Sequence, residues 1–134
     1  MRTIPAHCLD IFDTNCMGYV ATMRPDGRMS VNPVSVMWDG VHLRFSTLKS
    51  RKKYRNLIED DRVTICVQHP DNPVRYVEVR GRARLADDTD CTFIDSIAQK
   101  YMGVDKYPYD RPGDERITVT VEIEHVSAPK IPGG

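Results

Sequence analysis

The sequence predicts a mainly β, antiparallel domain with a few short helices. Two Asp-Gly pairs, Asp26-Gly27 and Asp39-Gly40, sit between β-forming runs, the strongest short signal for tandem hairpins. The segments VRYVEVRGRARL and RITVTVEIEHV alternate as strands do, whereas helical periodicity is confined to two short central stretches and a brief N-terminal one. About six strands with so few helices between them favour a β-barrel over a doubly wound α/β sheet.

Taken in order, Pro5 ahead of Leu9, Ile11 and Phe12 predicts a short N-terminal helix with proline near its first turn. MGYVATM is the first strand, Arg24 to Gly27 the turn, and Val31, Val34, Val36 and Trp38 mark the second strand. Asp39-Gly40 then turns the chain onto VHLRFST, completing a three-stranded meander. From Ser50 to about Asp60 the period changes. Tyr54, Leu57 and Ile58 stand at i, i+3 and i+4, an apolar stripe pointing inward on a short helix with Ser50 as N-cap. Lys53 and Asn56 share a neighbouring face, which leaves Lys53 free for a ligand.

RVTICVQ is the next strand, and HPDNP reads as a loop because its prolines interrupt any ladder. In the long strand that follows, Gly81 marks a bulge. A second helix runs from Thr89 to Tyr101, with Phe93, Ile94, Ile97, Ala98 and Tyr101 on one side. The segment from Met102 to Glu115, rich in Pro, Gly and Asp, is a loop, and SAPKIPGG is a loose tail.

With 134 residues, 40% of them hydrophobic and 28% charged, the chain suits one globular domain over residues 1–134. Lys+Arg 19 balances Asp+Glu 19, and this lack of a basic surplus argues against a nucleic-acid partner. The first residues lack a signal peptide's apolar core, and no run is long enough to span a membrane, which predicts a cytoplasmic protein. Cys8, Cys16, Cys66 and Cys91 are scattered without a CxxC pair, so they are expected to be reduced thiols, with Cys66 in a strand core. The four histidines are equally dispersed, and no metal site is expected.

The informative stretch is STLKSRKKYRNLIEDD, Ser46 to Asp61. Lys49, Arg51, Lys52, Lys53 and Arg55 crowd the helix start, and Glu59, Asp60 and Asp61 gather at its end. Helix self-stability asks for the reverse, because the N-terminus carries positive partial charge; each misplaced charge costs about a few tenths of a kcal/mol. An anion docked at the N-terminus removes that cost. Free amides there, the Ser46 and Thr47 hydroxyls and several cations make a phosphate cradle. A solvated basic face is the plainer alternative. Tyr101, Tyr107 and Tyr109 border the late loop as packing anchors or as the frame of an opening.

In this order, YVATM, the RPDGR turn, VNPV, the WDG turn, FST, SRKKYRNL, DDRV and NPVRYVEVRGRARL resemble the pyridoxamine-phosphate-oxidase-like split β-barrel superfamily across nearly the whole chain. The sequence looks closest to the short flavin/deazaflavin oxidoreductases that often use coenzyme F420. The resemblance implies a homodimeric split barrel whose cofactor phosphate meets Arg51, Lys52 and Lys53, with Asn56 one turn on. It implies that Ser46 and Thr47 line the same pocket and that Asn32, Pro33 and Val34 flank the ring system. Arg75 and Tyr76 would approach from the long strand, or from a partner subunit.

Two departures stand out: no C-terminal substrate-binding extension is evident, which argues against vitamin B6 chemistry, and Met29 replaces a proline common in relatives. The implied activity is hydride transfer from reduced F420 to a small organic acceptor. An FMN-dependent oxidase or reductase, and a non-catalytic F420-binding or storage protein, are the alternatives. Hydride chemistry of this kind resides in the cofactor, which agrees with the lack of an acid/base constellation.

Overall fold

The computed structural model describes residues 2–134. Gly27 and Gly40 take φ of 84° and 96°, the left-handed backbone that the two hairpin turns require. They join β1 (Met17–Met23), β2 (Met29–Trp38) and β3 (Leu43–Leu48) into the expected antiparallel meander. β4 (Arg62–His69) pairs with β1 and with the 16-residue β5 (Asn72–Asp87), while β6 (Arg116–Ser127) pairs with both β5 and β3. Every pairing is antiparallel, and the sheet closes as a barrel in the order β1-β2-β3-β6-β5-β4.

Alternation places one face of each strand inside. Val20, Val36, Phe45, Ile65, Val67, Val77, Val79 and Val119 are fully enclosed. Each such side chain contributes roughly 1.5–3 kcal/mol relative to exposure. At Gly81 the β5–β6 register shifts, and a Cβ there would collide with the Glu122 carbonyl. The predicted bulge is therefore a close backbone approach that excludes a side chain.

The barrel wall is not continuous. β2 and β3 pair only where Val36, Met37 and Trp38 oppose Phe45, Arg44 and Leu43. Extending that register would oppose Ser35 to Ser46, Val34 to Thr47 and Pro33 to Leu48, but these pairs do not form. β3 instead continues its ladder with β6 as far as Leu48 opposite Arg116. Pro33, with no N–H to donate, stands in the gap.

Helices cover the barrel. The N-terminal segment Ala6–Asp13 is a 3₁₀ helix burying Cys8, Ile11 and Phe12. α1 (Lys52–Glu59) packs against β1 and β3, and α2 (Thr92–Met102) against β2 and β6. The Tyr101 hydroxyl lies 2.8 Å from the carbonyls of both Cys16 and Val36, tying the end of α2 to the barrel. Among the described residues, no helix is long and apolar enough to cross a membrane.

Several local expectations need correction. Ser50 does not cap α1; the chain turns from Leu48 to Arg51 first, and Arg51 holds the N-cap position without a side-chain hydrogen bond. The inward face is Lys53, Asn56 and Leu57, whereas Ile58 is 55% exposed. Only Pro70 and Asp71 separate β4 from β5, because Pro73 is accommodated within the long strand. α2 starts three residues later than Thr89, where the Asp88 carboxylate accepts the N–H groups of Phe93 and Ile94 at 3.1 and 2.9 Å. Cys66 sits partly buried opposite Tyr19 rather than in the core, and all four cysteines are free. The tail is held, since Asn72 donates to the Gly133 carbonyl at 2.9 Å.

Candidate functional site

A cleft of about 160 Å³ occupies the gap between β2 and β3. Pro33, Val34 and Ser35 form one side and Ser46, Thr47 and Leu48 the other. Arg51 enters from the N-cap of α1 and Lys53 from its first turn, Ile94 and Ile97 from α2, and Tyr107 and Arg116 from the loop and the start of β6. The cleft adjoins a groove of about 320 Å³ that shares Leu48, Arg51, Tyr107 and Arg116.

Lys53 is the decisive residue. It is only 9% exposed, and among the described residues no carboxylate pairs with it. Burial pushes its ammonium below the usual lysine range, and Arg51 and Arg116 push it further. Among the described residues Thr47 Oγ1, in the cleft lining, is also without a partner, as are Asn56 Oδ1 and Asn32 Oδ1 outside that lining. Asn56, fully buried, uses its amide N–H to hold Thr22 Oγ1 at 3.0 Å. Proteins rarely bury a cation without a counter-charge, and an anion in the cleft could supply one here.

Arg116 has its side chain 9% exposed and bound to Asp110 through Nε and Nη2 at 2.7–3.1 Å. Its guanidinium lies 4.8 Å from the centre of the Tyr107 ring, which meets Tyr109 edge-on. Burial works against the Arg116 charge, but Asp110 and Tyr107 together outweigh it and hold the pKa above its ordinary value. Sequence reading missed Arg116. It gains its place through the β3–β6 ladder, which sets it opposite Leu48, 68 residues earlier, a pairing that no local pattern announces.

Of the residues expected at the site, Pro33, Val34, Ser46, Thr47, Arg51 and Lys53 converge on the cleft. Asn56 and Asn32, expected there too, are not in its lining, and neither is the half-buried Lys52. Arg75 and Tyr76 are not brought to it by this chain. Arg75 instead forks onto Asp10 at 2.6 and 2.7 Å and onto the His7 carbonyl, beside Tyr76, in a separate groove. Of the three loop tyrosines, Tyr107 lines the cleft, Tyr109 is 71% exposed, and Tyr101 is the structural tie already described.

A larger groove, about 490 Å³, lies elsewhere, on the wall around Met23, Met29, Arg80 and Gly81. It contains none of the predicted site residues, and its apolar floor continues into the exposed outer faces of β1 and β2.

Comparison with known proteins agrees with this architecture. A solved structure of an F420 reductase is similar at 33% identity, covering 92% of this chain and 98% of that one, with a TM-score of 0.80. A conserved hypothetical protein from Mycobacterium tuberculosis matches at 18% identity, 93% and 84% coverage and TM-score 0.71. A pyridoxamine 5'-phosphate oxidase-related, FMN-binding protein from Nostoc punctiforme matches at 17%, 94% and 84% coverage and TM-score 0.62. The last two speak to the fold alone. The pyridoxamine 5'-phosphate oxidase family model matches residues 4–128, nearly the whole barrel with its split, and the chain belongs to that family.

Proposed function

We propose that this protein is an F420-dependent oxidoreductase, transferring a hydride between reduced deazaflavin and a small organic acceptor in the cytoplasm. The observation that carries the reading is the buried Lys53, unpaired at the split and flanked by Arg51, where a phosphate would complete the charge. The choice of F420 over FMN draws on the similarity, at 33% identity, to an F420 reductase.

The residues fit such a group. Lys53 and Arg51 would hold a phosphate at the start of α1, with the Ser46 and Thr47 hydroxyls able to donate to its oxygens. Pro33 and Val34 offer an apolar edge against which a planar ring can rest, and Ile94 and Ile97 exclude water from one side. When bound, the deazaflavin supplies the hydride chemistry, and the protein supplies position and electrostatics.

The cleft is small for a whole cofactor, since ligand sites usually enclose about 300–1,000 Å³. A second copy of the chain would enlarge it and bring Arg75 or Tyr76 within reach. The closed barrel has no free sheet edge apart from the split, so the homodimer reading rests on exposed apolar side chains. Tyr19 is 42% exposed, Met29 70% and Val31 65%, all on the neighbouring strands β1 and β2. A patch of this composition favours burial against a partner.

Titrating purified protein with F420 and with FMN, followed by fluorescence, tests the cofactor. Tighter binding of F420 is expected; binding of FMN alone would move the assignment to an FMN-dependent enzyme on the same fold. Turnover of no acceptor despite tight F420 binding would favour a carrier. Light scattering at micromolar concentration should give a dimer mass, and a monomer would overturn that part.

A further inference from the structure

We propose that Arg116 is a third cation of the anion site in the barrel split, aimed into it by Asp110 and Tyr107. The inference rests on the phosphate-cradle reading above and adds a binding residue that lies 63 positions beyond Lys53. Arg116 stands opposite Leu48 at the end of the β3–β6 ladder, so its side chain leaves the same wall as Ser46, two residues back along β3.

The geometry divides the guanidinium into two edges. Asp110 occupies the Nε–Nη2 edge, with contacts of 2.7–3.1 Å, and the Tyr107 ring supports one face at 4.8 Å. Nη1 lies on the free side, 3.3 Å from Ser46 Oγ, a long hydrogen bond to a neutral acceptor. A phosphoryl oxygen is a far stronger acceptor and would take Nη1 and the Ser46 hydroxyl together. Charge points the same way. Arg51, Lys53 and Arg116 face the cleft, and Asp110 is the carboxylate that pairs with Arg116. A phosphate group offsets part of the positive charge that remains. Asp110 and Tyr107 are thus positioning residues, holding Arg116 with its free edge toward the ligand.

The test compares ligands with and without phosphate: FMN against riboflavin, and F420 against its phosphate-free chromophore. Arg116→Gln should weaken the phosphate-bearing member of a bound pair about tenfold or more and its counterpart less than about twofold. Arg116→Lys, which keeps the charge without the fork, should show the same selectivity with a smaller loss. Should Arg116→Gln not fold, the Arg116→Lys selectivity decides. If the phosphate-free ligands bind too weakly to measure, inorganic phosphate replaces them: it should raise the melting temperature of the parent but not of the Arg116 variant.

Equal losses for both members of a pair, or an undiminished phosphate shift, overturn the proposal, because Arg116 would then act only through the fold. Lys53→Met run in parallel separates the two ideas. A selective loss in Lys53→Met with none at Arg116 overturns this inference and leaves the cradle standing. No selectivity in either variant, or a parent that binds neither pair, overturns both.

Discussion

Lys53 and Asn56, three residues apart on α1, both turn into the barrel end, yet only Asn56 finds a partner there, Thr22 Oγ1 at 3.0 Å. Among the described residues no carboxylate pairs with the ammonium beside it. The helix therefore spends part of its buried face on a charge that works against folding, and in the proposed reading a bound anion balances it.

Replacing Lys53 by Met keeps most of the buried stem and removes the charge. The ligand-free protein should become more stable, with a higher melting temperature, while binding of a phosphate-bearing cofactor falls about tenfold or more. Leu57→Ala on the same helix should do the opposite, costing about 2–5 kcal/mol of stability, since Leu57 is only 2% exposed, and changing affinity little. Thermal melts and cofactor titrations on both variants check this. A Lys53→Met protein that binds as the parent does would remove the cradle.

The same residue makes stability depend on pH. The folded protein holds Lys53 below its ordinary 10.5 by burial first and by Arg51 and Arg116 second. The unfolded chain therefore binds the proton more tightly, and the penalty for the charged form is fully present below the folded pKa. It fades as pH rises through that value toward 10.5. The stability gap between parent and Lys53→Met should be widest near neutrality and close in alkaline solution. Melting curves across that range test it, and a constant gap would mean Lys53 is not desolvated.

The meander was legible because Asp26-Gly27 and Asp39-Gly40 are local signals, and both glycines adopt the positive φ that their turns need. The basic start of α1 was legible for a similar reason, since charge order along one helix is a local property. Arg116, Tyr107 and Asp110 were not, because a ladder between distant strands brings them to the cleft. The inward face of α1 was misjudged by one position. Periodicity assigns Ile58 to the interior because it is apolar, but this barrel end accepts Lys53 and Asn56 instead and leaves Ile58 55% exposed. A functional site inverts the rule on which the pattern depends.

Tyr101 offers a test of how α2 is held. Its hydroxyl accepts the Val36 N–H at 3.2 Å and reaches two carbonyls, those of Cys16 and Val36, at 2.8 Å. One proton serves two acceptors, so Tyr101→Phe removes a shared donor and an acceptor at once. The expected cost is about 1–3 kcal/mol in denaturant unfolding. Because Ile94 and Ile97 of the same helix line the cleft, affinity should also fall. Unchanged stability would show that α2 is held by its apolar contacts alone.

Cys91 gives a prediction of the opposite sign. It is the non-glycine residue with positive φ among those described, at φ 62° and ψ 17°, just before α2. A left-handed conformation costs an ordinary side chain about 1–2 kcal/mol. Nothing in its thiol offsets that, since it makes no capping hydrogen bond. The cap is supplied by Asp88, which accepts the Phe93 and Ile94 N–H groups without help from residue 91. Backbone bonds keep Cys91 where it is: its N–H donates to Asp88 O at 3.0 Å, and its carbonyl accepts from Asp95 N at 2.9 Å. Cys91→Gly should therefore stabilise the fold by about 1 kcal/mol, with the greater backbone freedom of glycine in the unfolded chain trimming the gain. Cys91→Asn should stabilise by a similar amount, because asparagine tolerates this region without that unfolded-state cost. Cys91→Val, β-branched, should destabilise. Chemical denaturation of the three variants tests the ordering, and a Val variant as stable as the Gly variant would show that residue 91 carries no strain.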